Sequence, residues 1–355
     1  MILTLQFLLQ VLGIVGLVGY FSYRSGEESI NEIAHQLIDA TAKTTEQELD
    51  RFFGNAHLVL ETNQSLLKRQ RLDAQNFADL EAHFFDMIKL YPEFTAMAFY
   101  TPQSQVIGVV IDRVGILTAP GTIATTEKLD VGLGTSHFYR LNDQGERIEH
   151  LFEVDHDPTE RSWYGQAVES NQLDWTPIMA LVTAPLGGIL AFRSVQNEGQ
   201  LQGVLAITLI INDISEFLRS LRLSPQSQVF IIEKSGNLVA TSTEENVAPV
   251  TTVDGTNILT RLPAIESENP LTQATANALL AQAMPTETDQ SWSFQFSAAV
   301  SGLENRQIFR GVGDPQRYFV NVTPYQNGTT LDWQIITVVP ESDFMGAIYA
   351  NLRRT

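Results

Sequence analysis

The stretch Glu27–Lys68, EESINEIAHQLIDATAKTTEQELDRFFGNAHLVLETNQSLLK, is almost free of Gly and Pro, and its apolar side chains fall at Ile30, Ile33, Leu37, Ile38, Leu49, Phe52, Phe53, Val59 and Leu60. Steps of three and four residues recur, which is the period of an α-helix with one apolar face. One long amphipathic helix is predicted, packing a core or forming a dimeric stalk. Upstream, Met1 to Tyr23 carries no charged side chain and is dominated by Leu, Ile, Val and Phe. At a rise of about 1.5 Å per residue, a helix over this run can cross a hydrocarbon layer of roughly 30 Å. It reads as a membrane anchor. A cleaved signal peptide is the competing reading, but no A-x-A-like site stands between Gly19 and Gly26, and no Lys or Arg precedes the apolar run. Arg24 is the first charge, a weak breach of the positive-inside rule if the remainder lies outside.

Downstream the character changes. A second helix is predicted over Ala74–Leu90, with Pro92 just beyond its end. Then come apolar runs rich in β-branched residues, Met97–Tyr100, Val106–Ile111, Ile189–Val195 and Val204–Ile211, separated by Gly, Asn and Asp turn signals. A second cycle starts near Leu221, with strands at Val229–Glu233, Leu238–Thr241, Trp292–Phe296, Tyr318–Val322 and Trp333–Val339 and an Ala-rich helix, Gln273–Met284, set among them. Lys234–Asn237 (KSGN) and Tyr325–Thr330 (YQNGTT) are hairpin turns, because Asn and Gly tolerate the positive φ that such turns need. No strict βαβ alternation calls for a doubly wound sheet. The fold class is α+β, two sheet modules behind one stalk helix.

Composition excludes several functions. The 355 residues hold 22 Lys and Arg against 41 Asp and Glu, a formal charge of −19. Nucleic acid needs a basic footprint and is not a partner on this count. Cysteine is absent, which removes thiolate metal sites, iron–sulfur clusters, a Cys nucleophile and disulfides. No G-x-S-x-G elbow, P-loop or H-E-x-x-H is present, so an enzyme has no nucleophile or metal to start from, and no cofactor is indicated. The six histidines are scattered; Asp155–Asp157 (DHD) is a metal cluster only if the backbone brings further ligands to it, and is otherwise a solvated turn. Gly132–Gly134 (GLG) lacks the third glycine of a dinucleotide loop and reads as a turn.

Several stretches, taken in order, carry a resemblance: DPTERSWYGQA (Asp157–Ala167) followed by WT at Trp175, GQLQGVLAITLIINDISEFLRSL (Gly199–Leu221), VFIIEKSGNLVATS (Val229–Ser242) and LDWQIITVVPESDF (Leu331–Phe344). Together they resemble the double Cache family of extracytoplasmic, PAS-like sensor domains of bacterial receptors. The tail motif and GLVGYFSYRSG (Gly16–Gly26) look most like cyanobacterial transmembrane signalling proteins of kinase, cyclase or chemoreceptor type. The resemblance implies a transmembrane anchor over residues 1–23, a stalk helix over 24–70, and a membrane-distal, ligand-holding PAS-like module over 71–220. It further implies a membrane-proximal module over 221–340 that passes the signal on, and a helix over 341–355 leading toward a second span. The chain stops just after the helical-looking Phe344–Leu352, which reads as a longer receptor cut before that span, or a gene whose output lies on another chain.

The family's chemistry concentrates on RSWY. Asp157 and Pro158 suit an N-cap and first helical position, and Glu160 completes a D-x-x-E capping box. Arg161 is then either a cap or salt-bridge residue, or a fixed guanidinium fork that holds a ligand carboxylate while Trp163 and Tyr164 close over it. At about 100° per residue Arg161 and Tyr164 share a helix face and Trp163 does not, so all three meet one ligand only if the segment is partly a turn. Trp163 and Tyr164 are equally readable as core aromatics. Amino-acid-binding members of the family carry a Tyr shortly after WT and an Asp in the strand after GVL; here the nearest positions are Ile178 and Thr208, so the ammonium corner is missing. The reading is a membrane-bound periplasmic sensor that binds a small anionic ligand at Arg161, Trp163, Tyr164, Ile178 and Thr208, dimerises through its stalk and catalyses nothing itself. The competing reading is a membrane-anchored solute-binding protein serving a transporter.

Overall fold

A computed structural model describes residues 2–343 apart from 114, 116, 171, 183, 222, 223, 225, 283–289, 299–315 and 329, and most side chains before Ile38 also lie outside the description. A single 67-residue helix, α1 (Ile2–Lys68), runs through both the predicted anchor and the predicted stalk without a break. The anchor's side chains mostly fall outside the described residues, and among those described no helix is long and apolar enough to cross a membrane. Ile30, Ile33 and Leu37, the expected dimer stripe, are also outside them. From Ile38 onward the helical period does what the sequence predicts: Ile38, Leu49, Phe52, Phe53, Val59 and Leu60 are buried against the body.

The first sheet has nine strands, all antiparallel, in the order β5-β4-β3-β2-β1-β9-β8-β6, with β7 also pairing to β8. Its strands are β1 (Ala96–Tyr100), β2 (Val106–Ile111), β3 (Ile123–Lys128), β4 (Gly134–Leu141), β5 (Arg147–His156), β6 (Asp174–Trp175), β7 (Met179–Ala180), β8 (Gly187–Asn197) and β9 (Gln200–Ile210). Alternation along the strands divides the residues between two faces. Met97, Phe99, Ile107, Val109, Leu205, Ile207 and Leu209 enter the main core with α1 and α2 (Phe77–Leu90). The residues between them, Ala96, Ala98, Tyr100, Gly108, Val110 and Thr208, face the other way and floor a cavity. Helices α3 (Ser162–Ser170) and α4 (Ile211–Ser220) complete this module.

The second sheet runs β11-β10-β16-β15-β14, from β10 (Gln228–Glu233), β11 (Leu238–Thr241), β14 (Trp292–Ala298), β15 (Gln316–Asn327) and β16 (Leu331–Pro340). A separate hairpin, β12 (Val250–Val253) with β13 (Thr256–Leu259), and helix α5 (Pro270–Ala281) interrupt it. The KSGN turn has Gly236 at φ +83, where glycine alone is free of a Cβ penalty. The predicted helix over Phe344–Leu352 lies outside the described residues.

Three bodies meet at one ring. Phe53 of α1 touches Trp175 of the first module at a centroid distance of 4.8 Å and Trp333 and Tyr325 of the second at 5.6 and 5.9 Å. Trp175 Nε1 donates to His57 Nε2 at 2.9 Å, and the Thr330 hydroxyl donates to Asp174 at 3.2 Å. Stalk and modules are joined through one aromatic cluster.

Candidate functional site

The cavity lies on the first sheet's face away from α1, with a volume of about 140 Å³. At about 10–15 Å³ per water-sized position this holds a small organic molecule and nothing larger. Its floor exists because the sheet residues there are small. A Cβ on Gly108 would sit 2.7 Å from Ala98 Cβ, so β1 and β2 can bring little bulk to this face.

The segment after β5 builds the wall. Asp157 caps a short 3₁₀ turn, Pro158–Glu160, by accepting from the Thr159 amide and hydroxyl at 2.9 and 2.6 Å and from the Ser104 hydroxyl at 2.6 Å. Those donors hold its carboxyl below the usual range. The predicted helix does not begin here. Arg161 adopts an extended conformation, φ −73 and ψ 133, and α3 starts at Ser162. This break is the partial turn the sequence demanded, and it lets Arg161 and Trp163 line one cavity. The N-cap expected at Asp157 is present, on a turn rather than on a helix.

Of the five predicted residues, Arg161, Trp163 and Thr208 line the cavity. Tyr164 is buried beside it and Ile178 is buried in the main core; neither is in its lining. Trp163 stands edge-on to Tyr100 at 5.1 Å and to Tyr164 at 6.0 Å, inside a smaller apolar cluster with Leu181, Leu190, Phe192 and Ala206. Trp163 thus packs in this cluster and also lines the cavity, whereas Tyr164 packs in the cluster alone. The buried Tyr164 hydroxyl has no hydrogen-bond partner among the described residues. Burial lifts the Tyr100 and Tyr164 phenols to about 12, with Arg161 pulling Tyr100 the other way and Asp157 adding to the rise at Tyr164.

The Arg161 backbone amide donates to the Pro158 carbonyl at 3.3 Å, but its guanidinium has no ion pair or hydrogen bond among the described residues. Arg113 also lines the cavity; one of its nitrogens donates to the Phe94 carbonyl at 3.2 Å, while its buried Nε has no partner among the described residues. The lone carboxylate in the lining, Asp112, is taken up by its own loop, accepting from the amides of Gly115 at 2.7 Å and Leu117 at 2.6 Å. Arg113 also acts on the Asp213 carboxyl, so of the two guanidiniums on the wall Arg161 is the one whose side chain forms no ion pair or hydrogen bond among the described residues. Burial lowers the pKa of His156, with Lys128 and Arg161 adding to the fall against the opposing pull of the Val154 backbone and Asp157.

The sequence reading missed Tyr100, Asp112, Arg113 and His156. His156 ends β5 on the cavity wall, whereas Asp155 on the opposite face receives the Thr135 hydroxyl at 2.6 Å, so Asp155–Asp157 is neither a solvated turn nor a convergent metal cluster. Only the Asp112–Arg113 pair after β2 offered a signal, a charged doublet directly behind an apolar strand.

No family model matches the chain, and no curated protein matches it. Solved structures do. The extracellular domain of the protein designated histidine kinase mmHK1S-Z3 matches with a TM-score of 0.51 at 8% identity, over 89% of this chain and 97% of that one. The ligand-binding domain of the Pseudomonas fluorescens chemoreceptor CtaA, in complex with L-isoleucine, gives 0.49 at 15% identity over 89% and 98% of the two chains. That of the Pseudomonas aeruginosa PAO1 amino acid chemoreceptor PctC, in complex with GABA, gives 0.46 at 14% over 85% and 97%. With its TM-score of 0.51 the first shares the fold of this chain, and none of these matches supports the cyanobacterial likeness of the tail motif. A long helix laid along two antiparallel-sheet modules, the first holding a small cavity, is the fold this chain shares with the extracellular domain of that histidine kinase.

Proposed function

We propose that this chain is the extracytoplasmic sensing part of a membrane signalling receptor, and that its distal cavity binds a small carboxylate anion anchored by Arg161. One observation carries the reading: Arg161 is a permanently charged fork on the wall of a small, mostly apolar cavity, and it has no partner among the described residues. A guanidinium in partly dry surroundings favours an anionic partner, and its planar fork fits a carboxylate with two parallel hydrogen bonds. An ammonium group would meet Thr208 and an Asp112 carboxylate already engaged by amides. It would keep its desolvation cost uncompensated, which argues against an α-amino acid.

The test is calorimetry with propionate against alanine and pyruvate against serine, on the parent and on Arg161→Ala. The acids should bind more tightly than their amino counterparts. Loss of the fork should cost on the order of 2 to 5 kcal/mol, weakening affinity by well over tenfold. Tighter amino-acid binding, or an Arg161→Ala protein that binds like the parent, returns Arg161 to a structural role.

The same proposal places Met1–Tyr23 in the membrane, the body in the periplasm, and a homodimer contact on the Ile30, Ile33 and Leu37 stripe. Burying each such side chain contributes roughly 1.5 to 3 kcal/mol, so Ile33→Glu should convert a dimer to monomer in detergent sedimentation. An unchanged sedimentation coefficient removes the stalk from the mechanism. A solute-binding protein that closes two lobes is the weaker reading, because α1 packs against strands of both modules.

A further inference from the structure

At the far edge of the first sheet, on the face away from the cavity, two imidazoles and a carboxylate converge. The candidate ligand atoms of His137, His150 and Glu153 all lie within 4.8 Å of one another. Glu153 Oε1 is 3.1 Å from His137 Nδ1 and 3.5 Å from His150 Nε2, and the two imidazole centroids are 5.9 Å apart.

This convergence depends on an irregularity in the ladder. His137 pairs with Glu153 and Phe138 with Phe152, but Tyr139 then pairs with His150, leaving Leu151 as an extra residue. In a regular antiparallel ladder Tyr139 would face Leu151, and His150 would point to the other side of the sheet with Phe138 and Arg140. The bulge reverses the alternation and turns His150 toward His137 and Glu153, in the way bulges re-aim side chains. Neighbouring positive charge is already committed. Arg147, stacked 5.0 Å over the Tyr139 ring, is paired with Glu81 and Glu127, and Arg140 on the opposite face is paired with Glu149 at 2.8 Å.

We propose that His137, His150 and Glu153 form a solvent-facing site for a divalent transition metal ion of the zinc class, with water filling the remaining position. Two imidazole nitrogens and one carboxylate oxygen are a donor set that suits such ions, and one open position is what a three-ligand site leaves. Ligands about 2.0–2.1 Å from a tetrahedral ion stand about 3.4 Å from one another. The carboxylate–imidazole separations already match that spacing, so metal entry asks only for the two imidazoles to close on each other. Binding would tie β4 to β5 at an edge where the ladder is otherwise broken by the bulge.

The test is calorimetric titration of the chelator-treated full chain with Zn²⁺, followed by Co²⁺ titration read by its visible absorption. One ion per chain is expected, with an affinity in the micromolar range and a Co²⁺ band of tetrahedral intensity. His150→Ala and Glu153→Gln should each weaken binding by well over tenfold, since even groups that merely orient a metal ligand are worth roughly ten to a hundredfold. Arg140→Ala, on the opposite face, should bind like the parent. These side chains are exposed, and circular dichroism should show all three variants folded. Absence of saturable Zn²⁺ binding, or binding that survives in both ligand variants, overturns the proposal and leaves Glu153 as a plain hydrogen-bond acceptor for two imidazoles.

Discussion

Asn257, in the β12–β13 hairpin of the second module, reaches across to the loop that covers the cavity of the first. Its Nδ2 donates to the carbonyls of Leu181 at 2.8 Å and Ala184 at 3.0 Å, with Val182 at 3.4 Å as a weaker third, and Leu181, Val182 and Ala184 all line the cavity. The Thr252 hydroxyl donates to Asn257 Oδ1 at 2.7 Å and fixes the carboxamide. Asn257→Ala removes two good hydrogen bonds, each worth about 0.5–1.5 kcal/mol net, so the closed loop loses about 1–3 kcal/mol. The reporters are the Leu181 amide, bonded to Leu186 at 2.9 Å, and the Leu186 amide, bonded to Ala184 at 2.8 Å. If these amides exchange through local opening, the variant should speed their hydrogen exchange by roughly fivefold to a hundred and fiftyfold, with the strands of both sheets unchanged. Thr252→Val should give a smaller acceleration, because it loosens the carboxamide without deleting it. Equal exchange in Asn257→Ala and the parent would refute the idea that the second module holds this loop.

Two further perturbations probe the site and the fold. Asp213 in the first turn of α4 has its carboxyl raised to about 6, chiefly by burial, against the pull of Arg113. The folded state therefore holds this proton more tightly than the unfolded chain, and the cost of ionisation is absent well below the ordinary value of 3.8, grows between there and about 6, and is fully present above. Asp213→Asn should stabilise the protein in urea by about 1 kcal/mol near pH 8, after allowance for solvent screening, and by nothing near pH 3; a gain independent of pH would contradict this. Ala98→Leu places about three extra carbons on the cavity floor, where they can extend into open space rather than into packed core, so the melting temperature should move little. Binding of the tightest anion should fall by more than tenfold, and an unchanged affinity would mean the ligand sits elsewhere.

The fold was legible wherever a strand is buried over a continuous apolar run. Met97–Tyr100, Val106–Ile111 and Val204–Ile211 each lie within or overlap an observed strand, and α2 ends at the predicted Leu90. Strands β4 and β5 were not legible, because β5 forms the open edge of the sheet and Arg147–His150 are exposed, leaving no apolar run to read. The same reason hid the bulge at Leu151. At the cavity, Arg161 and Trp163 were found through a sequence motif, and Thr208 through its place in a strand. Arg113 and His156 come to the wall from loops and strand ends that only tertiary pairing brings together. Ile178 was placed by its distance from Trp175 along the chain, and the chain turns between them, carrying it into the main core instead.

The ring of Phe53 is wedged among Trp175, Trp333 and Tyr325, fully enclosed, with partners on both modules. Close-packed interiors do not deform smoothly; they move between discrete arrangements of side chains. Held by such a wedge, α1 resists sliding along the modules, because any shift of the helix must first repack this ring against partners on both sides. Whatever moves α1 against one module therefore disturbs the other through a single phenyl ring.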